Sequence, residues 1–188
     1  MTESSPMMLF VCTGNICRSP YLEFRLRAAL AANGHRGITI TSAGTGAAIG
    51  RGVSDRLADR LHGYGVDSSA HRGRQLTTAH VESADVVLTA GREHRRAVTQ
   101  LDPTAVGRAF TVRQFLRLLS VEPSAGPRIA DLVAAATDAR GRAGASTDDD
   151  DIDDPWRRSR RVYARVAGTM DEAVTSLVAH LVPGASPL

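Results

Sequence analysis

Met7-Met8-Leu9-Phe10-Val11 runs directly into Cys12-Thr13-Gly14-Asn15-Ile16-Cys17-Arg18-Ser19-Pro20, and how this stretch folds decides how the rest of the chain must fold. The first residues are an unbroken apolar run of strand length, the pattern of a strand covered on both faces in the middle of a parallel sheet. Beyond Ser19, Leu22, Leu26, Ala29 and Leu30 recur at helical spacing, and Asn33-Gly34 supplies a C-terminal cap. The residues between them therefore form a turn from a strand into a helix N-terminus.

That turn carries a thiol, five intervening residues and a guanidinium. The first N–H groups of a helix have no partner within the helix and sit at the positive end of its macrodipole, so a loop curling into them is a ready anion site. The same field favours the thiolate form of a cysteine, which is the nucleophilic form. Arg18 adds a planar fork of donors that can grip two oxygens of a phosphoryl group. Gly14 leaves room for the loop to turn its amides inward, while Asn15 tolerates left-handed backbone and can cross-brace the loop. The Ser19 hydroxyl can donate to the sulfur of Cys12 or cap the helix. Thr13, Gly14, Asn15, Ile16, Cys17 and Ser19 are thus expected to surround a phosphate held between Cys12 and Arg18.

The chain continues as alternating strands and helices. Residues 38–42 are β-branched and read as the second strand; Ser54 or Asp55 then caps a helix that buries Leu57 and Leu61 and stops at Gly63-Tyr64-Gly65. Residues 84–89 form the clearest strand after the first, 93–101 a helix, 105–110 a weaker strand, and Thr111-Val112-Arg113-Gln114 a capping box opening a helix through Leu119. Pro123, Gly126 and Pro127 then break the pattern, 129–139 fits a short amphipathic helix, and 141–151 is small, polar and finally acidic, as in a solvated, partly disordered loop. A last helix is expected over 157–181. Such alternation predicts an α/β fold, a doubly wound parallel sheet with helices on both faces, whose ligands bind at the carboxyl ends of the strands. At 188 residues the chain reads as one domain over 1–188, with 121–151 as an irregular insertion.

Composition narrows the function. The chain is 43% hydrophobic and 23% charged, the balance of a soluble globular protein. Both cysteines lie in the turn, so there is no secreted-type disulfide framework. No apolar run approaches the roughly 20 residues that span a bilayer, and the polar residues 1–6 do not form a signal peptide, so the cytoplasm is expected and a membrane is not. The net charge of +3 comes with 23 basic residues that are all arginine, and no aromatic side chains interleave with them as a nucleic-acid platform requires.

The string from Cys12 to Pro20 resembles the phosphate loop of the low-molecular-weight protein tyrosine phosphatase family. That loop has the form Cys, five residues, Arg, Ser, with Gly, Asn, Cys and Pro where Gly14, Asn15, Cys17 and Pro20 stand. The resemblance implies a four-stranded parallel sheet of order 2-1-3-4 and a phosphomonoester hydrolase, with a phosphocysteine intermediate on Cys12 and no metal or cofactor. Thiolate attack expels a poor leaving group, so an acid must reach in from the opposite side. The family places an aspartate before a proline on a late loop, with an aromatic after it, and Asp154-Pro155-Trp156 matches. Asp154 is then the expected general acid, and the base that activates water. The same residues also suit a plain start of a helix, with Pro155 at its first position, and Asp153 stands as a second acid or a neighbouring charge.

Resemblance also implies roles around the loop. Trp156 can stack on an aromatic leaving group or serve as core packing, whereas Thr45-Gly46-Ala47-Ala48-Ile49-Gly50 lacks the aromatic or bulky side chain that the family often has there, so that wall should be open or small. Ser42 and His71 stand where the family braces the loop asparagine. A reversible Cys12–Cys17 disulfide would protect the nucleophile. Arsenate reductases share this fold but relay oxidation through further cysteines, so here an external thiol would have to serve. A non-catalytic phosphate-binding module would need neither Cys12 nor Asp154. Ile16 stands where a branch acting on phosphoarginine carries threonine, and an apolar side chain better suits an aromatic ester. The expected partner is therefore a phosphotyrosine-bearing protein, tyrosine kinases of a polysaccharide export system among the candidates, met by a monomer or weak dimer.

Overall fold

The computed structural model describes residues 5–143 and 148–185. Residues 1–4, 144–147 and 186–188, which include parts of the N-terminal and insertion readings above, lie outside the described residues. Among the described residues a single parallel sheet forms from β1 (Met7–Cys12), β2 (Thr39–Gly44), β3 (Val86–Thr89) and β4 (Ala109–Thr111), in the order β2-β1-β3-β4. This is the order that the resemblance implied. Cys12 pairs with Gly44 and Val11 with Thr89, so the carboxyl ends of three strands open at one edge.

Strand side chains alternate between the two faces, and each face has its own core. Met8, Phe10, Ile40, Leu88 and Phe110 pack with Leu22 and Leu26 of α1 (Arg18–Ala32), Leu61 of α2 (Asp55–Gly63), Phe115 of α5 (Val112–Val121), Leu132 of α6 (Ile129–Ala139) and Leu177 of α7 (Arg160–Leu181). Leu9, Val11, Val87 and Ala109 point the other way, against Val81 of α3 (Thr78–Glu82) and Val98 of α4 (Arg92–Leu101). Each fully buried Leu or Phe contributes about 1.5–3 kcal/mol, so β1, covered on both sides, is the rigid base for the turn that follows it. No helix among the described residues is long and apolar enough to cross a membrane.

Several boundaries differ from the sequence reading for local reasons. The strand expected over 105–110 starts only at Ala109, because Pro103–Gly107 forms a 3-10 turn capped by Asp102, whose side chain accepts from the Thr104 N–H. Thr111 caps α5 by accepting from the Gln114 N–H, but Gln114 Oε1 is buried with no partner among the described residues, so only half the capping box forms. The last helix begins at Arg160, after a Ser159 cap, and not at 157. Arg157 has φ 60°, a left-handed turn that no helix passes through, which also removes Pro155 from the first helical position.

Residues 129–139 do form a helix, with Ile129, Leu132, Ala136 and Ala139 buried. Against the expected solvation of the acidic stretch, Asp150 is only 2% exposed and pairs with Arg117 of α5 at 2.9 Å. A buried carboxylate needs such a partner, and composition alone does not reveal one.

Candidate active site

Cys12 ends β1 and is 2% exposed. No side chain caps α1, which leaves its first N–H groups to the loop that enters it. The left-handed step is made by Asn15 at φ 51°; Gly14 does not have positive φ, although a Cβ there would meet Ile16 Cγ1 at 3.3 Å. Asn15 is fully buried and fully used. Its amide donates to Ser19 Oγ at 3.0 Å and Ser42 Oγ at 2.8 Å, its Oδ1 accepts from the Arg74 N–H at 3.0 Å, and its carbonyl accepts from His71 Nε2 at 2.8 Å. Ser42 in turn donates to Glu23 at 2.6 Å. Ser42 and His71 thus touch the asparagine that the resemblance assigned to them.

Ser19 Oγ lies 3.0 Å from Cys12 Sγ. Ser19 accepts from Asn15, so its own proton is shared between the sulfur and the Ala43 carbonyl at 3.4 Å, and the hydroxyl does not cap the helix. Cys17 has a different environment. Burial pushes its thiol above the usual cysteine range against the opposing Ser54 hydrogen bond, so it stays protonated and donates to Ser54 Oγ at 3.4 Å. Both cysteines are free thiols.

Arg18 joins the loop to the late aspartate. Its Nη1 donates to the Ile152 carbonyl at 3.0 Å and its Nη2 lies 3.1 Å from Asp154 Oδ2, while Nε is buried without a partner among the described residues. That orphan donor is one that an oxyanion over Cys12 would satisfy. The Arg18 side chain is 6% exposed and that of Asp154 50%. Asp154 also accepts from the Trp156 N–H at 3.1 Å. Asp153 points away to Arg165 at 2.7 Å, so it is not a second acid in the cavity.

The loop carrying Asp154 is pinned to the carboxyl end of β3. The Ile152 N–H donates to the Ala90 carbonyl at 2.7 Å, and Asp151 accepts from the Arg92 N–H at 2.8 Å and its guanidinium at 3.1 Å. Cys12, Arg18, Asp154, Ile16, Ala48 and Trp156 line one cavity of about 250 Å³, with Trp156 40% exposed at its mouth. The loop expected to give an open or small wall contributes only Gly46 and Ala48 to the lining, and Arg51, just beyond it, adds a charged side chain. Among the described residues no group of three His, Cys, Asp or Glu side chains is placed to hold a metal ion.

Three site residues were missed by sequence reasoning. Gly44 faces Cys12 in register, and a Cβ on it would sit 2.4 Å from the Thr13 carbonyl oxygen, so only glycine lets β2 approach the loop this closely. His94 of α4 is buried with Nε2 2.8 Å from Thr13 Oγ1; burial first, and then the Arg18 charge, push its pKa down and keep it neutral. Nothing in Arg92-Glu93-His94-Arg95-Arg96 marks that histidine as buried. Arg51 follows Gly50, whose φ is 77°, and lines the pocket.

Comparison with known proteins agrees with this geometry. Residues 7–122, more than half of the chain, match the model of the family described as low molecular weight phosphotyrosine protein phosphatase. Low molecular weight protein-tyrosine phosphatase A of Mycobacterium tuberculosis is 39% identical over 131 residues, covering 63% of this chain and 76% of that one. The protein-arginine-phosphatase of Geobacillus stearothermophilus is 37% identical over 110 residues, 58% of this chain and 70% of that one. The crystal structure of the low molecular weight protein tyrosine phosphatase from T. tengcongensis matches with a TM-score of 0.71 at 27% identity, covering 93% of this chain and 98% of that one. The family match begins at β1 and takes in the whole Cys12 loop, Ser42 and His71, and with the sheet order and the Cys12–Arg18 geometry it places this chain in the low molecular weight protein tyrosine phosphatase family, whose members are hydrolases.

Proposed function

We propose that the protein hydrolyses phosphotyrosine in proteins through a phosphocysteine on Cys12, with Asp154 as general acid and then base. The observation that carries this reading is the convergence of Cys12, Arg18 and Asp154 on one cavity, with Arg18 Nη2 3.1 Å from Asp154 Oδ2. In the first step the Cys12 thiolate attacks phosphorus, the S–P bond forms as the P–O(aryl) bond breaks, and Asp154 gives its proton to the departing phenolate. In the second, Asp154 takes a proton from water, the resulting oxygen attacks phosphorus, and the S–P bond breaks to release phosphate and thiolate. Arg18 and the N–H groups at the start of α1 hold the phosphoryl oxygens in both steps. Ser19, 3.0 Å from the sulfur, stabilises the thiolate as it leaves.

Substrate choice follows from the walls. Ile16, Ala48 and Trp156 make an apolar slot suited to an aryl ring, and Arg51 beside them disfavours the guanidinium of a phosphoarginine. Candidate substrates are tyrosine-phosphorylated kinases of a polysaccharide export system, met in the cytoplasm by a monomer or weak dimer. The test is hydrolysis of para-nitrophenyl phosphate, a phosphotyrosine peptide and a phosphoarginine peptide by wild type, Cys12→Ser and Asp154→Asn, with and without EDTA. Turnover surviving in Cys12→Ser would overturn the mechanism, and faster turnover of the phosphoarginine peptide would overturn the substrate.

A further inference from the structure

The cavity over Cys12 does not close at Trp156. Arg51 and Trp156 also line a second hollow of about 310 Å³ beside Val53 and Arg56, and Arg56 and Tyr163 carry it into a third of about 300 Å³ between α2 and α7. The groove so formed leads away from the phosphate loop, and more arginines than carboxylates line it. Of the arginines that line it, Arg51 and Arg160 are exposed, and neither has an ion-pair partner among the described residues. Arg56 is held at the junction, donating to the Arg158 carbonyl at 2.9 Å and lying 5.1 Å from the Tyr163 ring centre. Against these stand Asp55 and Asp59; Arg60 is already paired with Asp171. The first residues of α2 and α7 also line the groove, which adds the positive ends of two helices.

We propose that this groove seats the residues flanking the phosphotyrosine and selects aspartate and glutamate among them. The inference rests on the phosphatase reading above and adds a substrate class to it. Exposed arginines without partners attract an acidic segment before contact and keep it after, an effect that salt weakens. A nucleic acid is the poorer fit, because its continuous phosphate chain would meet Asp55 and Asp59, whereas a peptide can place neutral residues there.

Three phosphotyrosine peptides of equal length, flanked by Glu, Gln or Lys, test the idea, with para-nitrophenyl phosphate as the substrate that has no flanks. Wild type should order them Glu, Gln, Lys in kcat/KM, with about fivefold or more between the extremes at low salt, shrinking at about 0.5 M salt. In the Arg51→Gln/Arg160→Gln double variant the Glu-to-Lys ratio should fall about threefold. Each ratio is taken within one protein, so a change in overall turnover cancels. Equal rates on the three peptides with para-nitrophenyl phosphate still hydrolysed, or a Glu preference untouched in the double variant, overturns the groove and leaves the phosphatase reading standing. No turnover of any of the four substrates overturns both. Tighter binding of Cys12→Ser to a DNA duplex or to phosphatidylserine vesicles than to the Glu-flanked peptide would assign the groove to those partners instead.

Discussion

The loop from Cys12 to Ser19 and the loop from Asp150 to Trp156 meet at the contact between Arg18 and Asp154, yet they are held in opposite ways. The first is braced by neutral groups, as Asn15 makes four hydrogen bonds and is fully buried. The second is held by charge, its aspartates dealt to separate elements: Asp150 to Arg117, Asp151 to Arg92, Asp153 to Arg165 and Asp154 to Arg18. A satisfied, buried network fixes geometry to a fraction of an ångström. An ion pair with a half-exposed partner is worth only about 0–1 kcal/mol, so Asp154 can leave Arg18 to meet a leaving group at little cost. One loop is built to stay still and the other to yield at its tip, which suits the roles proposed above for Cys12 as nucleophile and Asp154 as acid.

The sharpest way to break the first loop is at its sulfur. Cys12→Ser should lower kcat on any phosphomonoester by roughly ten-thousandfold or more, measured by single-turnover kinetics. At the tip of the second loop, Asp154→Asn should cost about 100- to 1000-fold on a phosphotyrosine peptide. The loss should shrink for aryl phosphates with more acidic leaving groups, and a loss independent of leaving group would mean that Asp154 does not supply the proton.

Bracing is worth less than chemistry but separates the two loops. Asn15→Ala leaves the Arg74 N–H without its acceptor and frees the left-handed turn, and kcat/KM should fall about tenfold or more with little dependence on salt. Arg117→Ala removes the guanidinium that pairs with the buried Asp150; urea unfolding should show a loss of about 1–3 kcal/mol, with kcat reduced more than KM is changed.

The smallest effect is the pH dependence of stability. Burial depresses His94 and His180 below the usual histidine range, so the unfolded chain takes up protons there before the folded one does. Their contribution is fully present above about pH 6.5, the unfolded value, and is lost as pH falls through the folded pKa. His94→Gln, whose amide can stand where Nε2 meets Thr13, should flatten that decline in denaturation curves recorded on the acid side of neutrality; an unchanged slope would show that His94 is not a source of it.

The contrast between the loops also explains what could be read in advance. A strand, a polar turn and a helix N-terminus are local, and spacing alone placed Cys12, Arg18 and Ser19 together. Ser42, His71 and Asp154 became legible only through the family resemblance, since nothing near them in sequence distinguishes them from ordinary surface residues. Within the acidic stretch, the pairing of Asp150 and Asp151 was not legible because their partners, Arg117 and Arg92, lie more than 30 residues away.

By itself, then, the amino-acid sequence determined the alternation of strands and helices and the chemistry of the Cys12 turn, because both depend on hydrophobic periodicity and on contacts within a few residues. Only the tertiary structure decided that Gly44 must lack a side chain, that His94 is buried against Thr13, that Asp153 turns away, and that Arg51 lines the cavity beside Ala48. Each of those depends on strand register or on a charge meeting its partner across the fold, and neither distance is written in the local order of residues.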